Sequence, residues 1–441
     1  MAGPQAAGTP CATRSITTIF TGLHLPDGRA VKRVVIIGGG VIGLSVAYAC
    51  ARRGQRVIVI ERARAQRGAS LGNSGMVVPS HFIPLAAPGM VALGLRWMWN
   101  PESPFYIQPR LDWDLISWAW RFWRASTAER VARAAPLLRD LHLASRAAYA
   151  EIGEECGLVQ KGLLMLCKTR QALDDEARTA GMARQLDVPA EVLDAARTRA
   201  LDRGITMDIA GSIYFPTDCH LQPARYVAAL ERRIMAAGGE LLFGEDVTGW
   251  KKEGARLAAA QTSLGEVSGD EFVLAGGVWS AGLMRNLGLR LPMQAGRGYS
   301  LTVPDPVELP QICAILTEAR VAVTPMGSSL RFGGTMEIAG LAERISPRRV
   351  EGILRAIPQY YPRFSRQDFE GITPWSGMRP CSPDGLPYLG RTRVVPNLTI
   401  ATGHAMMGLS LAPVTGDLAA QLVGHEPVSM DLSILSPDRY A

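Results

Sequence analysis

The chain has 441 residues, of which 47% are hydrophobic and 20% are charged. This composition is that of a globular protein, and the length predicts two domains rather than one hydrophobic core. The net charge of +7 comes without any run of lysine and arginine that interleaves aromatic residues, so nucleic-acid binding is not expected. The 7 cysteines lack a CxxC pair and the 6 histidines lack metal-ligand spacing. Neither a disulfide framework nor a metal site is therefore predicted.

Residues 1–31 are rich in alanine, glycine, proline and threonine and predict a disordered N-terminal tail. Its most apolar part, residues 16–25, is interrupted by threonine, glycine and histidine, which makes a poor signal-peptide core. No apolar stretch reaches the roughly 18 residues that a membrane span needs. A cytoplasmic location in a reducing environment is expected.

The stretch from Lys32 to Glu61 predicts a complete βαβ unit. Residues 33–37 are apolar and β-branched, which is typical of a strand buried on both faces. A helix is expected to run to Arg53, and a second buried strand over residues 56–60 ends at the acid Glu61.

A G-x-G-x-x-G pattern joins this first strand to the helix. Gly38 allows the tight turn, Gly40 lets a pyrophosphate approach the backbone, and Gly43 lets helix and strand lie close together. Glu61 is placed to accept hydrogen bonds from a ribose. The alternative is a tight strand–helix turn without a ligand, and the pattern does not separate FAD from NAD. The predicted dinucleotide contacts in this unit are Gly38, Gly40, Val41, Ile42, Gly43 and Glu61.

The segment that follows Glu61 is first basic and then small and polar. Such a run turns many backbone N–H groups in one direction and predicts an anion-binding loop over the dinucleotide. A plain surface loop is the alternative. The candidate cofactor contacts here are Arg62, Ser70, Gly72, Asn73, Ser74, Gly75 and Met76.

Residues 72–90, GNSGMVVPSHFIPLAAPGM, resemble the D-amino acid dehydrogenases of the D-amino acid oxidase superfamily. The resemblance continues through GYSLT (298–302), MEIAG (336–340) and GMRPCSPDG (377–385), and ends at Gly403-His404. It implies FAD as the cofactor. It also implies an α/β flavoprotein with two domains, a Rossmann-like FAD-binding domain and a substrate domain built on a mostly antiparallel sheet.

The chain is expected to cross between these two domains several times. Alternating strands over 291–371, interrupted by a helix over 346–357, suit the sheet of the substrate domain. The predicted FAD-binding segments are 32–96, 201–290 and 372–441, and the substrate segments are 97–200 and 291–371.

Six of the 9 tryptophans lie in residues 97–123, and WAWRFWR has helical spacing. Core packing between helices is the favoured interpretation. The alternative is an amphipathic surface that docks on a membrane or an electron-acceptor protein.

Four residues are candidates for the chemistry of amino acid oxidation. Arg379 matches the arginine of the family's G-[LM]-R-P motif, and its planar fork suits a carboxylate. Tyr299 is the candidate hydroxyl partner for the same carboxylate, with core packing as an equal alternative. His404 is placed beside the flavin or in the substrate pocket, with a purely structural role as the alternative, and His81 is a weaker pocket candidate.

The last cofactor contacts come from strand ends and from the start of the final helix. Free N–H groups near Pro413 would face the flavin carbonyl on which negative charge gathers upon reduction. Some relatives bind flavin covalently through a cysteine, but Gly377 stands at that position here, so FAD is predicted to be noncovalent. The further candidate contacts are Val247, Gly276, Gly403, His404, Met407, Gly408, Leu409 and Ser410.

The resemblance implies oxidative deamination of a D-amino acid by hydride transfer to FAD, with a quinone or another carrier as electron acceptor. Residues 214–223, with DCHLQP, resemble members that act on hydroxyproline, so D-proline and D-hydroxyproline are candidate substrates. One alternative is a glycine or sarcosine oxidase that uses oxygen. Another is a flavoprotein subunit that relays electrons or assists assembly.

Overall fold

The computed structural model describes residues 31–64, 68–98, 103–342 and 344–441. The predicted tail, apart from residue 31, and Trp99 lie outside these residues.

Within the described residues, the strands in chain order are β1 (Arg33–Ile37), β2 (Arg56–Glu61), β3 (Met76–Val77), β4 (Phe105–Ile107), β5 (Leu163–Cys167), β6 (Glu191–Asp194), β7 (Gly211–Phe215), β8 (Cys219–His220), β9 (Glu240–Phe243), β10 (Val247–Glu253), β11 (Arg256–Thr262), β12 (Gly265–Ser268), β13 (Glu271–Leu274), β14 (Gln294–Pro304), β15 (Cys313–Leu316), β16 (Val321–Met326), β17 (Ser329–Ile338), β18 (Trp375–Cys381), β19 (Tyr388–Arg391) and β20 (Leu398–Thr402). The helices are α1 (Val41–Arg52), α2 (Met90–Met98), α3 (Trp113–Ala125), α4 (Ala128–Ile152), α5 (Arg170–Gln185), α6 (Ala195–Leu201), α7 (Pro223–Ala236), α8 (Ser280–Arg285), α9 (Pro347–Tyr360) and α10 (Ala412–Gly424).

The predicted βαβ unit is confirmed as the centre of a six-stranded sheet with the order β19-β20-β13-β1-β2-β9. All neighbours pair in parallel except β19 and β20, which are antiparallel. Both faces of β1 are buried. Val34 and Ile36 belong to the core shared with α1 and α10, whereas Val35 and Ile37 belong to the core shared with β10–β12. This arrangement explains why β1 reads as a continuous apolar run rather than an alternating one.

The second large sheet has nine strands, in the order β18-β14-β17-β16-β15-β5-β7-β6, with β4 paired to β17. Only the β15–β5 and β17–β4 pairs are parallel. The sheet is therefore mostly antiparallel, as the sequence predicted. Helix α9 covers one face through a core that includes Phe332 and Ile353. The opposite face is turned toward the glycine-rich loop after β2, because Ser74 lies against Gly333 of β17.

Several strands escaped prediction. No strand is predicted from the sequence for β6, β7 or β8, which lie in the segments 191–194, 211–215 and 219–220. Strands β7 and β18 both belong to the nine-stranded sheet, whereas the sequence grouped them with FAD-binding segments. Short strands such as these are fixed by pairing with distant partners, which leaves a weak local signal. The division into domains stays a prediction.

The interpretation of the tryptophan-rich region as core holds for one residue of α3. Trp118 is buried, and its indole N–H donates to the carbonyl of Cys381. Trp113, Trp120 and Trp123 are 76%, 52% and 62% exposed. Their spacing places them along one outward face of α3, so core packing does not account for these three residues.

The contact between Gly43 and the carbonyl oxygen of Gly38 generates a prediction about stability. An added Cβ at Gly43 would overlap that backbone oxygen, which cannot move aside like a flexible side chain. We expect Gly43→Ala to lower the free energy of unfolding by about 3 kcal/mol or to prevent folding, as overpacking does.

The matched control is Gly282 in α8, around which an added Cβ meets nothing within 4 Å. Gly282→Ala should raise the free energy of unfolding by about 0.5 kcal/mol, because alanine favours the helix. Urea unfolding of both variants measures the difference, and equal stabilities would contradict the proposed contact.

Candidate active site

The turn between β1 and α1 has the geometry of an anion-binding site. Gly38 has φ = 107°, and an added Cβ would clash with the carbonyl of Ala275 at the end of β13. Gly276 follows that carbonyl, so the sheet ends directly against the turn. The amides of Gly40 and Ile42 donate to no acceptor among the described residues. Unpaired N–H groups at a helix N-terminus are the groups that bind a phosphate.

Glu61 lies beside this turn at the end of β2. Its carboxylate accepts hydrogen bonds from the amides of Gly39 at 2.7 Å and Ala63 at 2.9 Å. The carboxylate is thus held at the carboxyl edge of the sheet, where the sequence predicted a ribose contact. Val247 begins β10 close by, because the amide of Glu245 donates to the carbonyl of Glu61. The neighbouring Arg62 places its guanidinium 3.6 Å from the ring centre of Trp279.

The loop 68–75 closes over the start of α1. The hydroxyl oxygen of Ser70 accepts from the amide of Val41 at 3.0 Å, which is the first amide of the helix. The side chain of Asn73 accepts from the amide of Gly75 at 2.8 Å, and this bond fixes the turn before Met76. Gly75 has φ = 74°, a conformation that favours glycine. The predicted second loop therefore lies at the same site as the glycine turn.

Arg331 of β17 holds this loop, a role that the sequence analysis missed. Its guanidinium donates to the carbonyl oxygens of Leu71 at 2.9 Å and Asn73 at 2.7 Å. Burial lowers the pKa of Arg331. An arginine in an alternating strand gives no local sign that it reaches a loop 258 residues away.

The segment before α10 presents a second set of free amides. The N–H groups of Gly408, Leu409 and Ser410 donate to no acceptor among the described residues. Gly403 has φ = 77° and lies against Tyr388, and Met407 closes a turn by donating its amide to the carbonyl of His404. These amides fit the predicted site for an electronegative carbonyl of the cofactor.

His404 lies between this segment and β18. Its backbone pairs with that of Cys381, and its Nε2 is 3.0 Å from the hydroxyl oxygen of Thr415. Its Nδ1 is buried without a partner among the described residues. Burial lowers the pKa of His404 to about 3, so the ring is neutral near pH 7. A neutral imidazole with an unpartnered nitrogen can donate to or accept from a bound cofactor or substrate.

Arg379 of β18 reaches across the surface of the nine-stranded sheet. Its guanidinium lies over Gly298 of β14, where any side chain would overlap it, and donates to the carbonyl of Thr335 at 2.6 Å. No carboxylate forms an ion pair with it among the described residues. Burial lowers its pKa. A half-buried guanidinium with spare donors is the group expected to bind a carboxylate ligand.

Tyr299 does not join Arg379. The register of β14 and β18 pairs Gly298 with Gly377 and Gly296 with Arg379, so Tyr299 points to the other face of the sheet. Its hydroxyl donates to Glu337 and accepts from the amide of Ser346. The structure therefore favours the packing alternative for Tyr299.

His81 lies in the segment after β3, with its Nδ1 3.0 Å from the hydroxyl oxygen of Ser80. Burial, followed by the nearby Arg320, lowers its pKa to about 4. Cys381, in contrast, is buried with its Sγ near Met336, and burial raises its pKa to about 12. It has no feature of a cysteine that links to a flavin.

A dinucleotide with a redox-active ring fits this site, which offers amides without acceptors among the described residues at two helix N-termini, a carboxylate at the sheet edge, and an arginine without a carboxylate partner in the same residues. No group of histidine, cysteine and acidic residues that could hold a metal occurs in the described part of the chain. The architecture and site thus define a dinucleotide-binding oxidoreductase with two large sheets.

Comparisons with known proteins agree with this class and identify the family and the cofactor. A family model described as FAD dependent oxidoreductase matches residues 33–422, so the chain belongs to that family and its cofactor is FAD. The D-amino acid dehydrogenase of Granulibacter bethesdensis is 32% identical over 420 residues, which are 93% of this chain and 100% of that protein. The D-amino acid dehydrogenase of Methylobacterium radiotolerans is 33% identical over 92% of this chain and 99% of that protein. The crystal structure of glycine oxidase from Geobacillus kaustophilus has a TM-score of 0.74 at 26% identity, and covers 93% of this chain and 100% of that chain.

The buried histidines generate a prediction about pH. Burial, the largest cause in each case, lowers the pKa of His404 and His142 to about 3 and that of His81 and His220 to about 4. The unfolded chain binds protons at these sites as the pH falls below about 6.5, whereas the folded chain does not. Asp218, whose pKa burial raises to about 7, acts in the opposite direction.

We therefore expect stability to fall between pH 7 and pH 5. The His404→Gln variant should reduce the pH slope of the unfolding free energy by about 1.4 kcal/mol per pH unit, the value for one proton. His425→Gln is the control, because its side chain is 57% exposed. Urea unfolding at constant excess FAD measures both slopes. A slope unchanged by His404→Gln would show that His404 is protonated equally in the folded and unfolded states.

Proposed function

We propose that the protein is an FAD-dependent D-amino acid dehydrogenase with noncovalent FAD. The observation that carries this proposal is Arg379, a half-buried guanidinium without a carboxylate partner among the described residues. It lies on the face of the nine-stranded sheet turned toward the loop 68–75. The similarity to two dehydrogenases that act on D-amino acids, at more than 30% identity over nearly the whole chain, supports the choice of substrate.

FAD would be held by the amides at the starts of α1 and α10, by Glu61 and by the loop of Ser70. When bound, FAD supplies an acceptor for the hydride that leaves the α-carbon of the amino acid. Arg379 holds the substrate carboxylate and fixes the orientation of the α-carbon. His404 stays neutral at physiological pH and can hydrogen-bond through its free Nδ1 without adding a charge.

We assign D-proline and D-hydroxyproline as the first candidate substrates, because residues 214–223 resemble those of hydroxyproline-type enzymes. Anaerobic bleaching of the flavin by a panel of D- and L-amino acids, sarcosine and hydroxyproline isomers tests this choice. Bleaching by glycine or sarcosine, with peroxide formed in air, would instead favour the oxidase alternative. The similarity of this fold to that of glycine oxidase is the reason to test it. A flavin that no amine bleaches would favour an electron-relay subunit.

The exposed face of α3 supports a role for the membrane in reoxidation. Trp113, Ile116, Trp120 and Trp123 form this face, and Arg124 lies 4.9 Å from the ring centre of Trp120. Aromatic rings beside arginines are typical of surfaces that insert at an anionic lipid interface. No helix in the described residues is long and apolar enough to cross a membrane. The proposed acceptor is a membrane quinone, with the enzyme bound peripherally to the inner face of the plasma membrane.

The assignment of Arg379 generates a kinetic prediction. Arg379→Ala should retain FAD but raise the apparent Kd for substrate about 100-fold, because it removes two charge-assisted hydrogen bonds of about 1.5 kcal/mol each. Arg379→Lys should recover part of this loss. Arg348→Ala, an exposed position on α9, is the control. Anaerobic stopped-flow measurement of flavin reduction gives the substrate dependence, and wild-type kinetics in Arg379→Ala would remove this residue from the site.

The membrane surface is tested by a triple variant, Trp113→Gln, Trp120→Gln and Trp123→Gln. Binding to vesicles that contain anionic lipid should weaken at least about 100-fold, because each buried tryptophan contributes about 1.5 kcal/mol or more. The flavin should still be reduced by substrate at the wild-type rate. A triple variant at exposed apolar positions elsewhere, Met235→Gln, Leu264→Gln and Val394→Gln, should bind vesicles normally. Equal vesicle binding by both variants would contradict the surface.

A further inference from the structure

A chain of polar groups lies buried beside the candidate site. Both carboxylate oxygens of Asp218 accept hydrogen bonds from Ser80, from its amide at 3.1 Å and from its hydroxyl at 2.5 Å. The same hydroxyl oxygen is 3.0 Å from Nδ1 of His81. Asp218 is fully buried. No cation forms an ion pair with it among the described residues.

The hydrogen-bond roles determine which nitrogen of His81 is free. The Ser80 hydroxyl has one proton, and it donates this proton to Asp218. Ser80 must therefore accept from His81, so Nδ1 carries the hydrogen and Nε2 carries the lone pair. The imidazole thus presents an acceptor at the end of the chain away from Asp218.

The polar chain is hydrogen-bonded to the segment before α10 and lies near the start of β16. His81 donates its amide to the carbonyl of Val78, and the amide of Val78 donates to the hydroxyl of Ser410, just before α10. Arg320, which lowers the pKa of His81, precedes β16. Strand β16 is the neighbour of β17, whose Thr335 accepts from Arg379. The register of these two strands pairs Ala322 with Gly333 and so places Arg320 opposite Thr335, which links the surroundings of His81 to those of Arg379.

We propose that His81, Ser80 and Asp218 form a proton relay that deprotonates the ammonium group of the amino acid substrate. This inference rests on the proposed function. The ammonium proton passes to Nε2 of His81, the Nδ1 proton passes to Ser80, and the Ser80 hydroxyl proton passes to the Asp218 carboxylate. The products are a neutral amine, whose lone pair can assist departure of the hydride, and a neutral carboxylic acid. No electrons are transferred in this step, and Asp218 returns the proton to solvent by the reverse path.

The surroundings suit this direction of transfer. Burial raises the pKa of Asp218 to about 7, with the two hydrogen bonds from Ser80 and then Arg146 of α4 acting against this rise, so the carboxylate is a base near neutral pH. Burial lowers the pKa of His81 to about 4, and a relay that exchanges tautomers never places a net charge on the ring. The other titratable groups around the chain are Cys219 and Cys313 near Asp218, and Arg320 and His142 near His81.

The relay is tested with Ser80→Ala, Asp218→Asn and His81→Gln, using His425→Gln as the surface control. In wild-type holoenzyme, the limiting rate of anaerobic flavin reduction should rise through pH 7 and then reach a plateau. In the three variants the rate at pH 7 should fall about 100-fold. It should continue to rise into alkaline solution, where the free amine predominates. Ser80→Thr, which keeps the hydroxyl, should recover the wild-type profile.

A second measurement is independent of turnover. Infrared spectroscopy of substrate-free holoenzyme should show the carbonyl band of a protonated, buried carboxyl group that disappears as the pH rises through 7 and is absent from Asp218→Asn. A wild-type pH profile in the variants, or a wild-type protein without this band, would overturn the relay. A wild-type flavin that no amino acid bleaches would instead overturn the proposed function, and the infrared titration would still decide the state of Asp218.

Discussion

The structure depends on a close backbone contact between Gly43 and the carbonyl oxygen of Gly38. This contact brings α1 against the end of β1 and directs its first amides toward the carboxyl edge of the six-stranded sheet. The carbonyl of Ala275 lies against Gly38 at the same edge, so β13 ends where α1 begins. The ligand site is therefore a consequence of how helix and sheet pack, because any side chain at Gly43 would force them apart.

The nine-stranded sheet supplies what the dinucleotide turn lacks, a surface with half-buried positive charge. Arg379 and Arg331 both lie on the face turned toward the loop 68–75, and both donate to backbone carbonyls rather than to carboxylates. Burial lowers the pKa of each. Arg331 donates its hydrogen bonds to the carbonyls of the loop. Arg379 keeps donors available among the described residues, which suits it to the proposed role of binding the substrate, whereas Arg331 builds the site.

The aspartates of the SPDG and DCHLQP segments have different roles in the fold. Asp384, in the SPDG segment, pairs with Arg439 at 2.8 Å, and the guanidinium of Arg439 lies 3.9 Å from the ring centre of Tyr388. That pair anchors the C-terminal residues to the loop after β18. Asp218, in the DCHLQP segment, has no such cation among the described residues. Its hydrogen-bond donors in the described part of the chain are the neutral groups of Ser80, and the protonation of such a buried carboxylate is easily changed.

The sequence alone determined the parts of the protein whose signals are local. The apolar run and glycines of residues 33–43 specify β1, the turn and α1, and the alternating pattern after residue 291 specifies antiparallel strands. Tertiary structure decided the rest. Tyr299 turns away from Arg379 because β14 and β18 pair in one particular register, and Arg331 reaches Asn73 across 258 positions of the chain. The link between Asp218 and His81 likewise joins residues far apart in sequence. Such pairings leave no local pattern, because they are fixed only when the sheets form and the loops between them close.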